Sequence, residues 1–160
     1  MQSQQFTIRV YGLWIDTNHN ILLSDEHIGD FQFTKFPGGG LEWGEGLRDG
    51  LKREWKEELG IAIEVLDHIY TTDFFQASAF HPQTQVISVY YSVAPLEKPM
   101  LNFKTKPFDF TRNQHQDEVF RWAGIKHLQP KDLNFPIDQY VLKLLQENIK
   151  KQEILMQSRD

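Results

Sequence analysis

Residues 38–61, GGGLEWGEGLRDGLKREWKEELGI, begin with three consecutive glycines and end in a segment crowded with charge. Glu54, Glu57 and Glu58 fall within five residues of one another. Carboxylates that close repel each other, because like charges on neighbouring helix positions destabilise a helix. Either water screens these glutamates on an open surface, or a cation binds among them.

The charged half of this stretch has the apolar period of an amphipathic helix. We predict a helix over residues 46–59, followed by a left-handed stop at Gly60. The apolar positions of its buried stripe recur every four residues and are Leu47, Leu51, Trp55 and Leu59.

At about 100° per residue, Glu58 lies about 40° to one side of Glu54 and Glu57 about 60° to the other. The three carboxylates therefore share one face of the predicted helix. Side-chain oxygens without nitrogen or sulfur partners favour a hard cation, and magnesium typically takes one or two carboxylates plus waters and substrate phosphates. A solvated acidic face is the alternative that the helix alone leaves open.

The sequence around the helix alternates between strand and turn patterns. Strands are predicted at residues 6–15 and 21–23, joined as a hairpin, and then at 31–36, 61–65, 69–75, 85–93 and 118–123. Residues 95–116 contain three prolines and read as a long loop. Pro136 opens a second helix, and the polar tail after Lys150 is expected to fray. We find no internal repeat and predict that residues 1–160 form one domain.

The composition excludes several classes of protein. The net charge of −5 argues against a broad surface for nucleic acid. The absence of cysteine excludes disulfides and zinc–cysteine sites. No signal peptide or membrane-spanning segment is evident, so a cytoplasmic location is expected.

Residues 39–61 resemble the signature of the Nudix hydrolases, G-x(5)-E-x(7)-R-E-U-x-E-E-x-G-U, in which U is bulky and apolar. Each specified position is filled: Gly39, Glu45, Arg53, Glu54, Trp55, Glu57, Glu58, Gly60 and Ile61. Trp55 is larger than the usual aliphatic residue. The resemblance implies an α/β fold, the Nudix-type α/β/α sandwich with a mixed β-sheet between helices. It also implies hydrolysis of a nucleoside diphosphate linked to another group.

The resemblance further implies a role for each residue of the signature. Glu54, Glu57 and Glu58 would hold Mg²⁺ or Mn²⁺ together with the carbonyl of Gly38 or Gly39. Glu54 or Glu57 would also serve as the general base. Arg53 would steer a catalytic glutamate. Glu45 would brace the glycine loop against the helix, and Gly60 would be structural.

Nudix proteins often recruit one more acid from a later part of the chain. Asp117 and Glu118, just before Trp122, are the candidates. The resemblance favours Glu118 as a further metal ligand, and an ordinary acid at the start of a strand is the alternative. His115, nearby, is interpreted as a surface histidine.

The segment NFPIDQ, residues 134–139, resembles the Phe-Pro loop that opens the last helix in MutT-like enzymes. There a side chain on the first helical turn reads the base. Asp138 or Gln139 would take that place here, although the family's asparagine is absent. A nucleoside triphosphate is therefore the expected substrate. Aromatic side chains that could stack on a base are Trp14, Phe74, Phe75, Phe80, Tyr90 and Tyr91.

Other functions stay open at this point. One is hydrolysis of a nucleotide sugar or ADP-ribose. In that case the loop at residues 95–116 would cover the sugar, and the basic residues of this loop would contact phosphates: Lys98, Lys104, Lys106 and Arg112. Another is a non-catalytic nucleotide sensor, and a third is RNA 5′-end processing, against which the acidic balance counts. The expected partner is a small nucleotide, with no membrane or nucleic acid, and the family resemblance implies a homodimer as one assembly.

Overall fold

The computed structural model of the chain describes residues 4–110 and 116–158. Its elements, in chain order, are β1 (Gln5–Leu13), β2 (Asn20–Ile28), β3 (Phe31–Lys35), β4 (Gly38–Gly40), α1 (Leu47–Leu59), β5 (Ile63–Thr71), β6 (Thr84–Pro95), β7 (Gln116–Gly124) and α2 (Pro136–Gln157). A 3₁₀ turn, Pro130–Asp132, precedes α2.

The strands form two sheets. The first has the order β4-β1-β6-β5, and the second has the order β3-β2-β7. Strands β1 and β6 are parallel, whereas the other neighbours are antiparallel. The first sheet is therefore mixed. Strand β3 of the second sheet leads through Pro37 into β4, which forms one edge of the first sheet.

The helices cover opposite sides of the sheets, because successive strand residues point to opposite faces. On β1, Val10 packs in the cluster that contains Trp55 of α1, whereas Tyr11 packs in the cluster that contains Val141 of α2. These two apolar layers make the α/β/α sandwich, so the predicted fold class is confirmed.

The predicted hairpin between residues 6–15 and 21–23 is wrong as a main pairing. Strand β1 is flanked on both edges by β4 and β6, so its hydrogen-bonding groups are already used. Strand β2 pairs instead with β3 and β7 in the other sheet. The two strands meet at a single antiparallel bridge, Ile15–Ile21, next to a turn in which Asp16 accepts hydrogen bonds from Asn18 and Asn20.

Helix α2 also differs from expectation, whereas the described residues between β6 and β7 contain no helix or strand, as the prediction of a long loop requires. Helix α2 continues past Lys150, where fraying was expected, and ends at Gln157. The segment after β6 is tied to the second sheet, since Lys104 bridges to Arg121 and the Phe108 amide donates to Asp25. No helix of the described residues is long and apolar enough to cross a membrane.

Candidate active site

Helix α1 presents the signature glutamates at different depths. The helix ends at Gly60, whose φ of 69° is left-handed and whose amide donates to the Lys56 carbonyl, while the next amide, of Ile61, donates to the Trp55 carbonyl. The Glu54 side chain is 12% exposed and the Glu57 side chain 59% exposed. Glu54 thus faces the interior of the site and Glu57 lies at its rim.

Arg53 links the glycine loop to the helix. Its Nη2 donates to Glu45 Oε1 at 2.6 Å, and its Nε donates to Glu45 Oε2 at 2.9 Å. The same guanidinium donates to the Gly40 carbonyl at 3.0 Å, to Glu54 at 2.9 Å and to Glu57 at 3.2 Å. The Arg53 hydrogen bonds hold the pKa of the Glu45 carboxyl at about 2. One side chain therefore fixes the position of two signature glutamates relative to the loop.

The backbone of β4 lies directly against the Glu54 carboxylate. A Cβ atom on Gly39 would lie 2.4 Å from Glu54 Oε2, so any larger residue would push the carboxylate away. Gly38 has a φ of 146°, which non-glycine residues rarely adopt. The Gly38 carbonyl accepts a hydrogen bond from Lys35 Nζ at 2.9 Å. The glycines therefore let the backbone of β4 lie against the Glu54 carboxylate.

Glu118 enters the site from β7, beside Glu26 of β2, with which it is directly paired. Ser24 Oγ donates to Glu118 Oε1 at 2.6 Å. Burial raises the pKa of the Glu118 carboxyl to about 8, with repulsion from Glu58 and Glu26 adding to it and Lys35 opposing. We call Glu26, Glu54, Glu58 and Glu118 the acidic cluster.

Glu58 completes the acidic cluster from the helix side. Glu58 is an exposed residue, but the protein atoms around its carboxyl displace part of the water that would otherwise solvate its charge. That desolvation raises the pKa of the Glu58 carboxyl to about 7, with attraction to Lys35 opposing and repulsion from Glu54 and Glu26 adding to it. Burial is the main cause of the raised pKa of both Glu58 and Glu118, and repulsion among the carboxylates adds to it.

The donor set of the acidic cluster fits a hard divalent cation. All its side-chain donors are carboxylate oxygens, and the backbone oxygens of the glycine loop adjoin them. Among residues 4–110 and 116–158, no three acidic or histidine side chains converge into a ready-made ion cage. An ion here would therefore need oxygens beyond the side chains, which is the usual situation for magnesium.

A cavity of about 440 Å³ adjoins the acidic cluster. Glu26 belongs to both, and Lys35, Arg9 and Tyr11 line the cavity at the same end. The other end is aromatic, with ring centroids 5.6 Å apart between Phe33 and Phe80 and 5.4 Å apart between Phe33 and Phe135. The cavity thus runs from a charged end to an apolar end.

Asp138 lies in the wall of this cavity, and Gln139 does not. Tyr90 donates its hydroxyl to Asp138 Oδ1 at 2.6 Å, whereas the buried Oδ2 has no hydrogen-bond partner among the described residues. Burial raises the pKa of the Asp138 carboxyl to about 6, although the Tyr90 hydrogen bond lowers it. Gln139 donates its side-chain amide to the Leu133 carbonyl at 2.7 Å.

The structure divides the aromatic candidates. Phe80 and Tyr90 line the cavity, whereas Trp14 and Tyr91 pack against the α1 layer. Lys104 pairs with Asp109 and is not in the cavity wall. Arg112 and His115 lie outside the described residues.

Several charged and aromatic residues of the cavity wall were not predicted from the sequence. A signal was present for three of them, because Phe31, Phe33 and Lys35 alternate along β3 and must share one face. Arg9 and Glu26 come from two other strands and carried no local signal, whereas Phe135 belongs to the Phe-Pro segment that the sequence singled out.

Comparisons with known proteins identify the family and the fold. The NUDIX domain model matches residues 6–145. The fold resembles the MutT protein from Methanosarcina mazei Go1, with a TM-score of 0.67 at 16% identity over 94% of this chain and 99% of that one. It also resembles a MutT Nudix hydrolase from Burkholderia pseudomallei, with a TM-score of 0.64 at 18% identity over 87% of this chain and 97% of that one.

A third similar structure is an ADP-ribose pyrophosphatase from Streptococcus suis 89-1591. Its TM-score is 0.53 at 15% identity, over 89% of this chain and 90% of that one. No curated protein matches the chain. At these identities the structural likeness shows the fold, and the domain match shows the family. Because that match spans most of the chain, the protein belongs to the Nudix family and is a hydrolase of phosphorus-containing anhydrides.

Proposed function

We propose that the protein hydrolyses a nucleoside triphosphate, with Mg²⁺ or Mn²⁺ held by Glu54, Glu57, Glu58 and Glu118 and by a carbonyl of Gly38 or Gly39. The observation that carries this proposal is the arrangement of the cavity. Its wall extends from an aromatic end to Glu26 of the acidic cluster, so a ligand with a flat base and a charged phosphate chain fits along its length.

The aromatic end suits a base. Phe33, Phe80 and Phe135 offer ring faces and edges within one wall, and stacking of a base on an aromatic side chain is worth about 1–3 kcal/mol. The unpartnered Oδ2 of Asp138 is an acceptor for a base N–H. Gln139 has its amide engaged with Leu133, so Asp138 is the better reader of the two.

The charged end suits phosphates. Arg9 and Lys35 are the cationic side chains of the cavity wall. Lys35 Nζ lies 2.7 Å from Glu26 Oε1 and donates to the Gly38 carbonyl, so this end of the cavity adjoins the acidic cluster. A phosphate chain that passes between these cations would reach the acidic cluster.

The chain's own groups have distinct parts in the reaction. A divalent ion, when bound, would neutralise the phosphate charge and make water a better nucleophile. Arg53 holds Glu54 and Glu57 in fixed orientation. In this proposal Glu57, at the rim of the site, accepts the proton of the attacking water as a new O–P bond forms and the bridging P–O bond breaks. A positioned base of this kind contributes about 10²–10⁴-fold.

A substrate panel tests the proposal. The protein is incubated with MgCl₂ and each common nucleoside triphosphate, ADP-ribose or UDP-glucose, and pyrophosphate and orthophosphate are measured. Turnover of a triphosphate to monophosphate and pyrophosphate is expected. Turnover of ADP-ribose or UDP-glucose alone would instead support the nucleotide-sugar function. Tight binding without turnover would indicate a sensor.

Glu57→Gln supplies the matched inactive variant. It should lower kcat by about 10²–10⁴-fold while leaving the circular dichroism spectrum unchanged. Glu147→Gln, at an exposed position of α2, should behave as wild type. Full activity in Glu57→Gln would refute the assignment of this residue.

The cytoplasmic location and the homodimer stay predictions. Light scattering after size-exclusion chromatography would measure the mass of the assembly against the 18.9 kDa chain.

A further inference from the structure

Lys35 is a buried lysine whose ammonium lies beside the proposed metal centre. The residue is 4% exposed. Its Nζ lies 2.7 Å from Glu26 Oε1 and donates to the Gly38 carbonyl at 2.9 Å. These two contacts connect β3 to β2 of the same sheet and to β4.

The surroundings keep this ammonium charged. Burial alone would lower the pKa of Lys35, but attraction to Glu26, followed by smaller contributions from Tyr11, Glu58 and Glu118, raises it. The carboxylates that attract it are Glu26, Glu58 and Glu118. Three of the four members of the acidic cluster thus act on one lysine.

We infer that Lys35 is an internal cation that neutralises the acidic cluster in the metal-free protein and competes with a divalent ion for it. The inference rests on the proposed metal centre. Lys35 already holds the Gly38 carbonyl, which is one of the proposed metal ligands. A carbonyl oxygen can accept two partners, but a divalent ion and an ammonium within a few ångströms repel each other strongly where water is largely excluded.

Lys35 is therefore a positioning residue that sets the affinity of the centre. It holds Glu26 and the Gly38 carbonyl together when no ion is bound. An ion that binds beside the Gly38 carbonyl is repelled by the nearby ammonium, and this repulsion weakens binding. The consequence is opposite to that of a residue that merely supports the fold, because removing Lys35 should tighten metal binding.

Isothermal titration with MnCl₂, without nucleotide, measures this effect directly. We expect Lys35→Met to bind Mn²⁺ about tenfold more tightly than wild type, because one repelling charge is gone. Lys35→Arg keeps the charge and should bind like wild type. Lys143→Met removes one exposed charge of α2 and should also bind like wild type, which controls for net charge.

Thermal unfolding gives a second readout. In EDTA, Lys35→Met should melt below wild type because Glu26 loses its partner, and saturating MnCl₂ should raise its Tm by more than it raises the Tm of wild type. If Lys35→Met does not fold, Lys35→Gln removes the charge while retaining a donor for the Gly38 carbonyl, and it should show the same tighter binding.

The outcomes separate the inference from the proposed function. Equal or weaker Mn²⁺ binding by the uncharged Lys35 variants, with clear binding by wild type, overturns the inference and leaves the metal centre standing. Absence of Mn²⁺ binding from wild type and variants alike overturns both.

Discussion

Arg53 and Glu45 form a two-point ion pair, at 2.6 and 2.9 Å, between α1 and the loop that precedes it. The planar guanidinium meets both carboxylate oxygens at once, a geometry that lysine cannot reproduce. Its remaining donor groups reach Gly40, Glu54 and Glu57. Arg53 therefore controls where the carboxylates of Glu54 and Glu57 lie, and its pair with Glu45 joins the loop to the helix.

Replacing Arg53 with lysine should lower activity more than stability. The charge stays, but the fork that orients Glu54 and Glu57 is lost, and loss of such an orienting partner typically costs about 10–100-fold in activity. Steady-state kinetics with the best triphosphate checks this. Arg48→Lys, also on α1, should retain activity near that of wild type, and equal losses in both variants would contradict the role of Arg53.

Trp55 fills the α1 layer in a way that depends on Gly12. A Cβ atom at Gly12 would lie 2.6 Å from Trp55 Nε1, so the glycine makes room for the ring. Trp55 is fully buried. We expect Trp55→Leu to lower the free energy of unfolding by about 2–4 kcal/mol through the cavity it leaves.

Urea unfolding measures that loss. Trp43→Leu is the matched control, because the Trp43 side chain is fully exposed, and it should change stability by less than about 0.5 kcal/mol. Similar losses at the two tryptophans would contradict the packing described for Trp55.

Features of this protein that depend on residues close together in the sequence could be predicted, and features that depend on distant residues could not. Helix α1 could be predicted because its apolar stripe, its glutamate spacing and Gly60 are all local signals. The partners of β1 could not, since its hydrogen bonds reach β6 across a long separation in sequence. The predicted hairpin was wrong for that reason.

The same distinction applies to the site. Glu54, Glu57 and Glu58 share a helix face that spacing reveals. The hydrogen bond between Ser24 and Glu118 joins residues 94 positions apart, and no periodicity reports it. The role of Lys35 was missed because the burial of a lysine depends on carboxylates that other elements of the fold bring to it.

Phe80 should affect substrate binding more than the chemical step. It contacts Phe33 and Phe135 in the aromatic wall, with centroid distances of 5.6 and 6.0 Å. Phe80→Ala should raise KM about tenfold, with kcat little changed, because stacking on the base is lost. Phe75→Ala, at a 73% exposed side chain that is not part of the cavity wall, should leave KM unchanged. A fall in kcat at constant KM would contradict a base-binding role for Phe80.

Asp138 should make stability depend on pH in the mildly acidic range. Its folded-state pKa of about 6 lies above the ordinary value of 3.8, so the folded protein keeps a proton that the unfolded chain has lost. Stability should therefore fall as pH rises from about 4 to about 6 and then level off. The contribution amounts to at most about 3 kcal/mol, since one pKa unit corresponds to about 1.4 kcal/mol.

Asp138→Asn should remove this contribution. Thermal melts between pH 4 and pH 8 should show wild type losing stability relative to Asp138→Asn as pH rises, with no further change above about pH 7. Asp49→Asn, at an exposed position of α1, should follow wild type. A constant difference between wild type and Asp138→Asn across the range would contradict the raised pKa.

The central claim is that the carboxylates of α1 and β7 hold a divalent cation at the end of a nucleotide cavity. Anomalous diffraction from crystals soaked in MnCl₂ and a non-hydrolysable nucleoside triphosphate tests it most directly. We predict a manganese peak within coordination distance of Glu54 and a carbonyl of the glycine loop, with the phosphates beside Lys35. A bound nucleotide without any manganese peak near Glu54, Glu57, Glu58 or Glu118 would contradict the account.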